Sequence, residues 1–169
     1  MRGWLAVLLS LALLGCLTGC AEEDFDDDLP GPPQPFDAQR FVDMEAGIFK
    51  SYLQLQDALA HDEFAAAQAA AQVLAGFAHG DLTDPAQAAM AAADIGTLRV
   101  AFRLLSETLI GGDVPDDMLV AYCPMAFEYE GGRWLQLRGD ISNPYYGATM
   151  LRCGAFEDKT DTSMTHDES

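Results

Sequence analysis

Four sulfur-bearing side chains fall in two close pairs in the C-terminal third of the sequence, Cys123 with Met125 and Met150 with Cys153. Residues two apart on an extended segment share a side, so Cys123 and Met125 can face one target. Residues three apart on a helix share a face, so Met150 and Cys153 can do likewise. Thiolate and thioether are soft ligands, suited to Cu(I) or Ag(I) rather than to Mg or Ca. If the pairs converge, the four sulfurs make a soft-metal site. The same two cysteines can instead close a Cys123–Cys153 disulfide, the usual fate of a cysteine pair in an exported domain. That bridge would stabilise the fold by about 3.5 kcal/mol in the chain-entropy estimate, and the methionines beside it would be core filler. Spacing leaves both readings open. They are also compatible, because an oxidised, metal-free form and a reduced, metal-bound form can interconvert, with redox state gating binding.

Other reactive side chains are scattered. His61, His79 and His166 show no paired metal-ligand spacing. Ser106 sits in no nucleophile elbow, Asp116-Asp117 lie in a polar turn that would not raise a pKa, and no nucleotide loop or HExxH pattern occurs. The sequence therefore points away from an enzyme. Trp134, Tyr145 and Tyr146 read first as burial around the sulfur stretch. An aromatic face there can also shield Cu(I) through a cation–π contact.

The elements that must position these residues can be read outward from them. Asn143 is a good N-cap, Pro144 suits the first helical turn and Gly154 sits where a helix stops, which predicts a short helix over 144–152. That helix has to fold back on the CPM segment to bury Tyr145 and Leu151, which makes Cys123 and Cys153 neighbours. Met118 to Tyr122 reads as extended, and Gly131-Gly132 between Ala126–Glu130 and Arg133–Leu137 predicts a small hairpin. Upstream, Phe41, Met44, Ile48, Tyr52, Leu55 and Leu59 repeat at three and four, one face of a helix capped by Asp37. Phe64, Ala67, Ala71, Leu74 and Ala78 give a second, alanine-rich helix, with Asp62 or its neighbour as cap and a very short turn before it. Asp84-Pro85 starts a third face through Ala88, Ala91, Ile95, Leu98, Phe102, Leu105 and Leu109, ending at Gly111-Gly112. Gly96 weakens that helix by about 1 kcal/mol, and a break there would split it. The expected fold is mainly α, an up-down bundle of three long helices plus the short fourth, with a small extended Cys-Met segment.

The N-terminus sets the compartment. Arg2, the apolar run Trp4 to Leu14 and Leu17-Thr18-Gly19-Cys20 read as an export signal over 1–19 with a lipobox-like end. The pattern resembles that of bacterial lipoproteins, in which the cysteine, here Cys20, becomes the lipidated first residue. Leu13-Leu14-Gly15-Cys16 is a poorer match, and an ordinary signal peptide or uncleaved anchor is the plain alternative. No aspartate directly follows Cys20, which by analogy with enteric bacteria tilts the placement toward the outer membrane. Residues 20–36 are an acidic, Pro-rich tether that buries no core. Residues 37–156 form the domain, and 157–169 an acidic tail. The formal net charge of −18 argues against nucleic acid and against an anionic lipid surface as partner.

CPMA at 123–126, GGRWLQ at 131–136 and I-x-NPYYG-x-x-ML-x-CG at 141–154 together resemble the C-terminal block of a bacterial domain of unknown function. That domain occurs alone in secreted or lipidated proteins and fused to periplasmic adaptor subunits of copper/silver efflux pumps. Tyr52-Leu53-x-Leu55-x-x-Ala58-Leu59 and Arg99-x-x-Phe102-x-x-Leu105-Ser106 are similar to the same family, so the resemblance covers about residues 40–156. It implies a helical bundle and an association with heavy-metal handling. The expectation is a lipid-anchored module on the periplasmic face of a bacterial envelope. It binds Cu(I) or Ag(I) through Cys123, Met125, Met150 and Cys153, with an efflux adaptor or other envelope protein as partner. The alternative is a metal-independent structural or interaction lipoprotein stapled by Cys123–Cys153.

Overall fold

The computed structural model describes residues 34–157. The signal over 1–19, Cys20, the tether up to residue 33, His166 and the tail from 158 onward lie outside the described residues. Among the described residues no helix is long and apolar enough to cross a membrane.

Apolar periodicity at three and four produces four helices, α1 (Ile48–Ala60), α2 (Phe64–Phe77), α3 (Thr83–Met90) and α4 (Ile95–Ile110). Each packs on the next in sequence, and a 3-10 turn (Gly80–Leu82) makes the connection between α2 and α3. The predicted faces are the buried ones in α1, α2 and α4: Tyr52, Leu55 and Leu59, then Ala67, Ala71 and Leu74, then Leu98, Phe102 and Leu105. The alanines of α2 leave little side chain between helices, which lets α1 and α3 approach it from two sides.

The expected bundle of three long helices is corrected on three counts. About half of the described chain is helical, and a three-stranded antiparallel sheet completes a mixed α and β fold. First, α1 does not start at Asp37. Residues 37–44 form turns, in which the Asp37 carboxylate accepts from its own chain at Gln39 N (2.8 Å), and Phe41 is buried from that turn rather than from a helix. Second, the third long helix is broken between Met90 and Ile95. Asp94 accepts from Thr97 N (2.8 Å) and from the Thr97 hydroxyl (3.0 Å), so it caps a new helix two residues before Gly96. The break turns α3, which buries Ala86 and Ala89 instead of Ala88 and Ala91. Third, the short helix over 144–152 is a set of turns with one 3-10 turn (Gly147–Met150). Gly147 has φ +62, and a Cβ there would collide with the Asp62 carboxylate and the Arg99 guanidinium. Arg99 donates to Asp62 (2.7 Å), to Leu59 O (2.8 Å) and to Pro144 O (2.8 Å), so one side chain ties the α1–α2 turn to this loop. Asp62 therefore serves as a tertiary anchor with φ +62, and α2 begins without a side-chain cap.

The sheet has the order β2-β1-β3, with β1 at Met118–Cys123, β2 at Gly132–Leu137 and β3 at Ala155–Phe156. The hairpin partners are thus β1 and β2, in register from Met118↔Leu137 to Cys123↔Gly132, with Ala126–Tyr129 in the connection and not in a strand. β3 pairs Ala121↔Phe156 and Tyr122↔Ala155, and Glu157 N continues to Val120 O (2.9 Å). α4 covers the sheet through β2, burying Trp134 and Leu135. The far edge of β2 is closed by α1: Leu135 N donates to the Tyr52 hydroxyl (3.0 Å), which lies 2.7 Å from the Ser106 hydroxyl of α4. Gln34 and Phe36, read as the end of the tether, are seated on the domain. The Phe36 ring lies 6.0 Å from that of His61, whose Nε2 is 2.9 Å from Gln34 O.

Candidate metal centre

Cys123 ends the central strand, and Cys153 precedes the two-residue strand paired beside it, so sheet order alone brings the two ends together. Cys123 Sγ and Cys153 Sγ stand 3.1 Å apart, and both are free thiols. The Cys153 thiol also reaches the Met125 thioether at 3.9 Å. Three of the four expected sulfurs therefore meet. Met150 is joined to the group through the backbone, its carbonyl accepting from Cys153 N (3.0 Å), but neither thiol donates to its thioether. Met125 reaches the site although its backbone is not extended (φ −87, ψ −13).

The Cys153 arm is held by Asn143 and by the backbone at Gly154. Asn143 does act as a cap, its Oδ1 accepting from Tyr145 N (2.8 Å) and Tyr146 N (3.3 Å). Its Nδ2 also donates to Cys153 O (2.8 Å), and its N–H to Leu151 O (2.8 Å). Buried and saturated, Asn143 fixes the loop from both ends. Gly154 has φ +127, and a Cβ there would sit 2.8 Å from Tyr122 O and 2.9 Å from the Trp134 ring, so the arm crosses the strand where only glycine fits. Aromatic rings line the other side. Tyr145 meets Phe127 at 5.0 Å and Trp134 at 5.8 Å, both edge-on, and its hydroxyl donates to Arg133 O. The Tyr146 hydroxyl donates to Met125 O (2.5 Å).

Burial, the hydrogen bond to Cys123 and the charge that Cys123 would carry push the Cys153 thiol up to about 11. Partial burial and both thiols raise the Tyr146 phenol as well. At neutral pH Cys153 is a protonated donor, a poor nucleophile and a ligand only after a metal displaces its proton. The spacing can be compared with both expected uses. Two sulfurs each about 2.3 Å from one ion, with an angle near 120°, lie about 4.0 Å apart. The Cys153–Met125 separation of 3.9 Å already matches, whereas the 3.1 Å cysteine pair must part by about 0.9 Å. A disulfide needs about 2.0 Å, so the same pair must close by about 1 Å. The thiols stand midway between the two states.

The loop that carries Met125 is strained. Phe127, Glu128 and Tyr129 have φ of 52°, 57° and 73°, three consecutive left-handed residues without a glycine, each costing about 1–2 kcal/mol. Nothing in the sequence signals this, because β-propensity and turn glycines both read Ala126–Glu130 as a strand. Among the described residues no group of three or more His, Cys, Asp and Glu side chains converges. His61 packs on Phe36 and bonds Asp57 O (2.7 Å), and His79 is exposed, so neither belongs to the sulfur site. No protein-family model, curated protein or solved structure matches the chain.

Proposed function

We propose that the chain is a lipid-anchored, extracytoplasmic module that binds Cu(I) or Ag(I) through Cys123, Cys153 and Met125, in the service of metal efflux or homeostasis. The observation that supports this reading is the convergence of two thiols and one thioether, a donor set that favours soft monovalent ions over hard cations. Of the four sulfurs first considered, Met150 drops from the set. The proposed efflux adaptor or other envelope partner, and the anchor at Cys20, rest on the residues quoted for the two resemblances. The ligands bind rather than react, in keeping with a Cys153 thiol held protonated, so no catalytic step is assigned. Titration of the reduced chain with Cu(I) against a competing chelator tests the reading. Affinity no better than that of the Cys123→Ser, Cys153→Ser double variant removes it.

The 3.1 Å approach of the thiols favours one second reading, a metal-independent structural or interaction lipoprotein stapled by a Cys123–Cys153 disulfide. Mass spectrometry of protein taken from the cell envelope, alkylated in denaturant before any reductant is added, separates the two. Blocked thiols at both positions mean the reduced, metal-competent form, and two unreactive cysteines that appear only after reduction mean the staple. Cys20→Ala tests the anchor: it should release the protein or leave an unprocessed precursor, and wild-type processing with unchanged detergent partitioning would contradict lipidation.

A further inference from the structure

We propose that Arg103 is the positioning residue of the sulfur site: it holds the left-handed loop that presents Met125, and so sets whether a bound ion meets three sulfurs or two. The proposal rests on the soft-metal reading. Cys123 and Cys153 are fixed by the sheet and by Asn143, but Met125 hangs on the connection between β1 and β2. Two residues beyond it begin the three left-handed residues Phe127, Glu128 and Tyr129. Such a run persists only where its surroundings over-determine it. From α4, Arg103 grips the run on both sides. Its guanidinium lies over the Phe127 ring, 4.6 Å from the centroid, and its Nη1 donates to the Glu130 carboxylate at 2.8 Å. The Phe127 ring is thereby pressed edge-on against Tyr145. Within the loop, Glu130 N donates to Phe127 O (3.1 Å) and Gly131 N to Ala126 O (2.9 Å), and the Tyr146 hydroxyl holds the Met125 carbonyl from outside it, but none of these bonds ties the left-handed residues to α4 as Arg103 does. Without the guanidinium the left-handed residues relax toward ordinary backbone, and Met125 leaves its 3.9 Å contact with Cys153. Arg103 touches no sulfur; it acts through the loop, as groups behind a metal ligand do.

The test uses the full-length reduced chain and Ag(I), with a competing chelator for affinity and X-ray absorption at the silver edge for ligand count. Arg103→Ala should weaken silver binding about tenfold, the lower range for loss of a group behind a ligand, and reduce the count from three sulfurs to two. Met125→Leu should do the same, and the double variant should be no weaker than Met125→Leu alone, since both act on one ligand. Arg103→Lys, which keeps a cation for Phe127 and Glu130, should restore most of the affinity. Three sulfurs and wild-type affinity in Arg103→Ala, or additive losses in the double variant, overturn the proposal. If the wild-type chain holds silver no better than Cys123→Ser, Cys153→Ser, the metal reading itself fails. The positioning claim is then decided by the methyl resonance of Met125 in the metal-free protein. Arg103→Ala must move it, and an unmoved resonance overturns the claim.

Discussion

Alkylation of Cys153 gives a direct measure of how the fold treats its thiols. Raising the thiol from its ordinary 9.0 to about 11 lowers the thiolate fraction at pH 8 about 100-fold. Because the thiolate is the nucleophile, iodoacetamide should modify Cys153 about 100-fold more slowly in the folded, reduced protein than in the same chain unfolded in guanidinium. The rate, read by peptide mass spectrometry, should keep climbing about tenfold per pH unit through pH 9 and 10 without levelling. The sign for stability follows from the same shift. The folded state holds this proton more tightly than the unfolded chain does. Its contribution is therefore full below the ordinary thiol range and is lost as pH rises from there through about 11. Cys123→Ser removes the second and third causes of the shift but not burial, so it should bring the rate only part of the way to the unfolded value. A folded-state rate that levels off near pH 9, or that equals the unfolded rate at pH 8, would refute the reasoning.

Further outcomes follow from the framework around the site. Tyr52→Phe strips a fully buried hydroxyl from both the Ser106 hydroxyl and Leu135 N, and should cost about 2–4 kcal/mol by leaving them unpaired; a chemical denaturation midpoint unchanged from wild type would contradict this. Gly147→Ala meets both a left-handed backbone and the Asp62 and Arg99 side chains, so a loss above about 2 kcal/mol is expected in the same measurement. Burial raises the Asp57 carboxyl despite Arg40 and His61, which pull it down. Its stabilising share is therefore present below the ordinary carboxylate range and lost as pH rises through the raised folded value. The stability of wild type relative to Asp57→Asn should accordingly grow on acidification toward about pH 4, and a flat difference would count against a raised carboxyl.

What could be read from the sequence was what depends on periodicity and on sulfur chemistry. The faces of α1, α2 and α4 are set by repeats at three and four, and burial follows them because packing rewards a continuous stripe. The turn signals were harder. Asp94 looks unremarkable inside an alanine-rich face, yet one cap with Thr97 was enough to end a long helix. Asn143 was legible as a cap, but the helix it was meant to start fails four residues later, where Arg99 and Asp62 fill the space beside Gly147. Such a failure comes from residues distant in sequence, and no local rule contains it. The sulfur pairs illustrate the same limit. Cys123 and Cys153 meet because β3 pairs with β1, a contact made by two residues too few to show a strand pattern. The left-handed run at Phe127–Tyr129 had no sequence signal at all, since none of its residues is one that prefers that backbone.

The place of β3 has a consequence for how the protein is made. The two cysteines lie 30 residues apart, and a ribosome adding about 5–20 residues per second needs roughly 2–6 s to pass from one to the other. Throughout that interval the nascent chain carries Cys123 without its partner. Even once Cys153 is synthesised, the arm is not secured until Ala155 and Phe156 seat beside Tyr122 and Ala121 and Glu157 reaches Val120 O. An ion or an oxidant that meets the chain before then meets Cys123 without Cys153 beside it, and the three sulfurs come together only once residues 155–157 are in place.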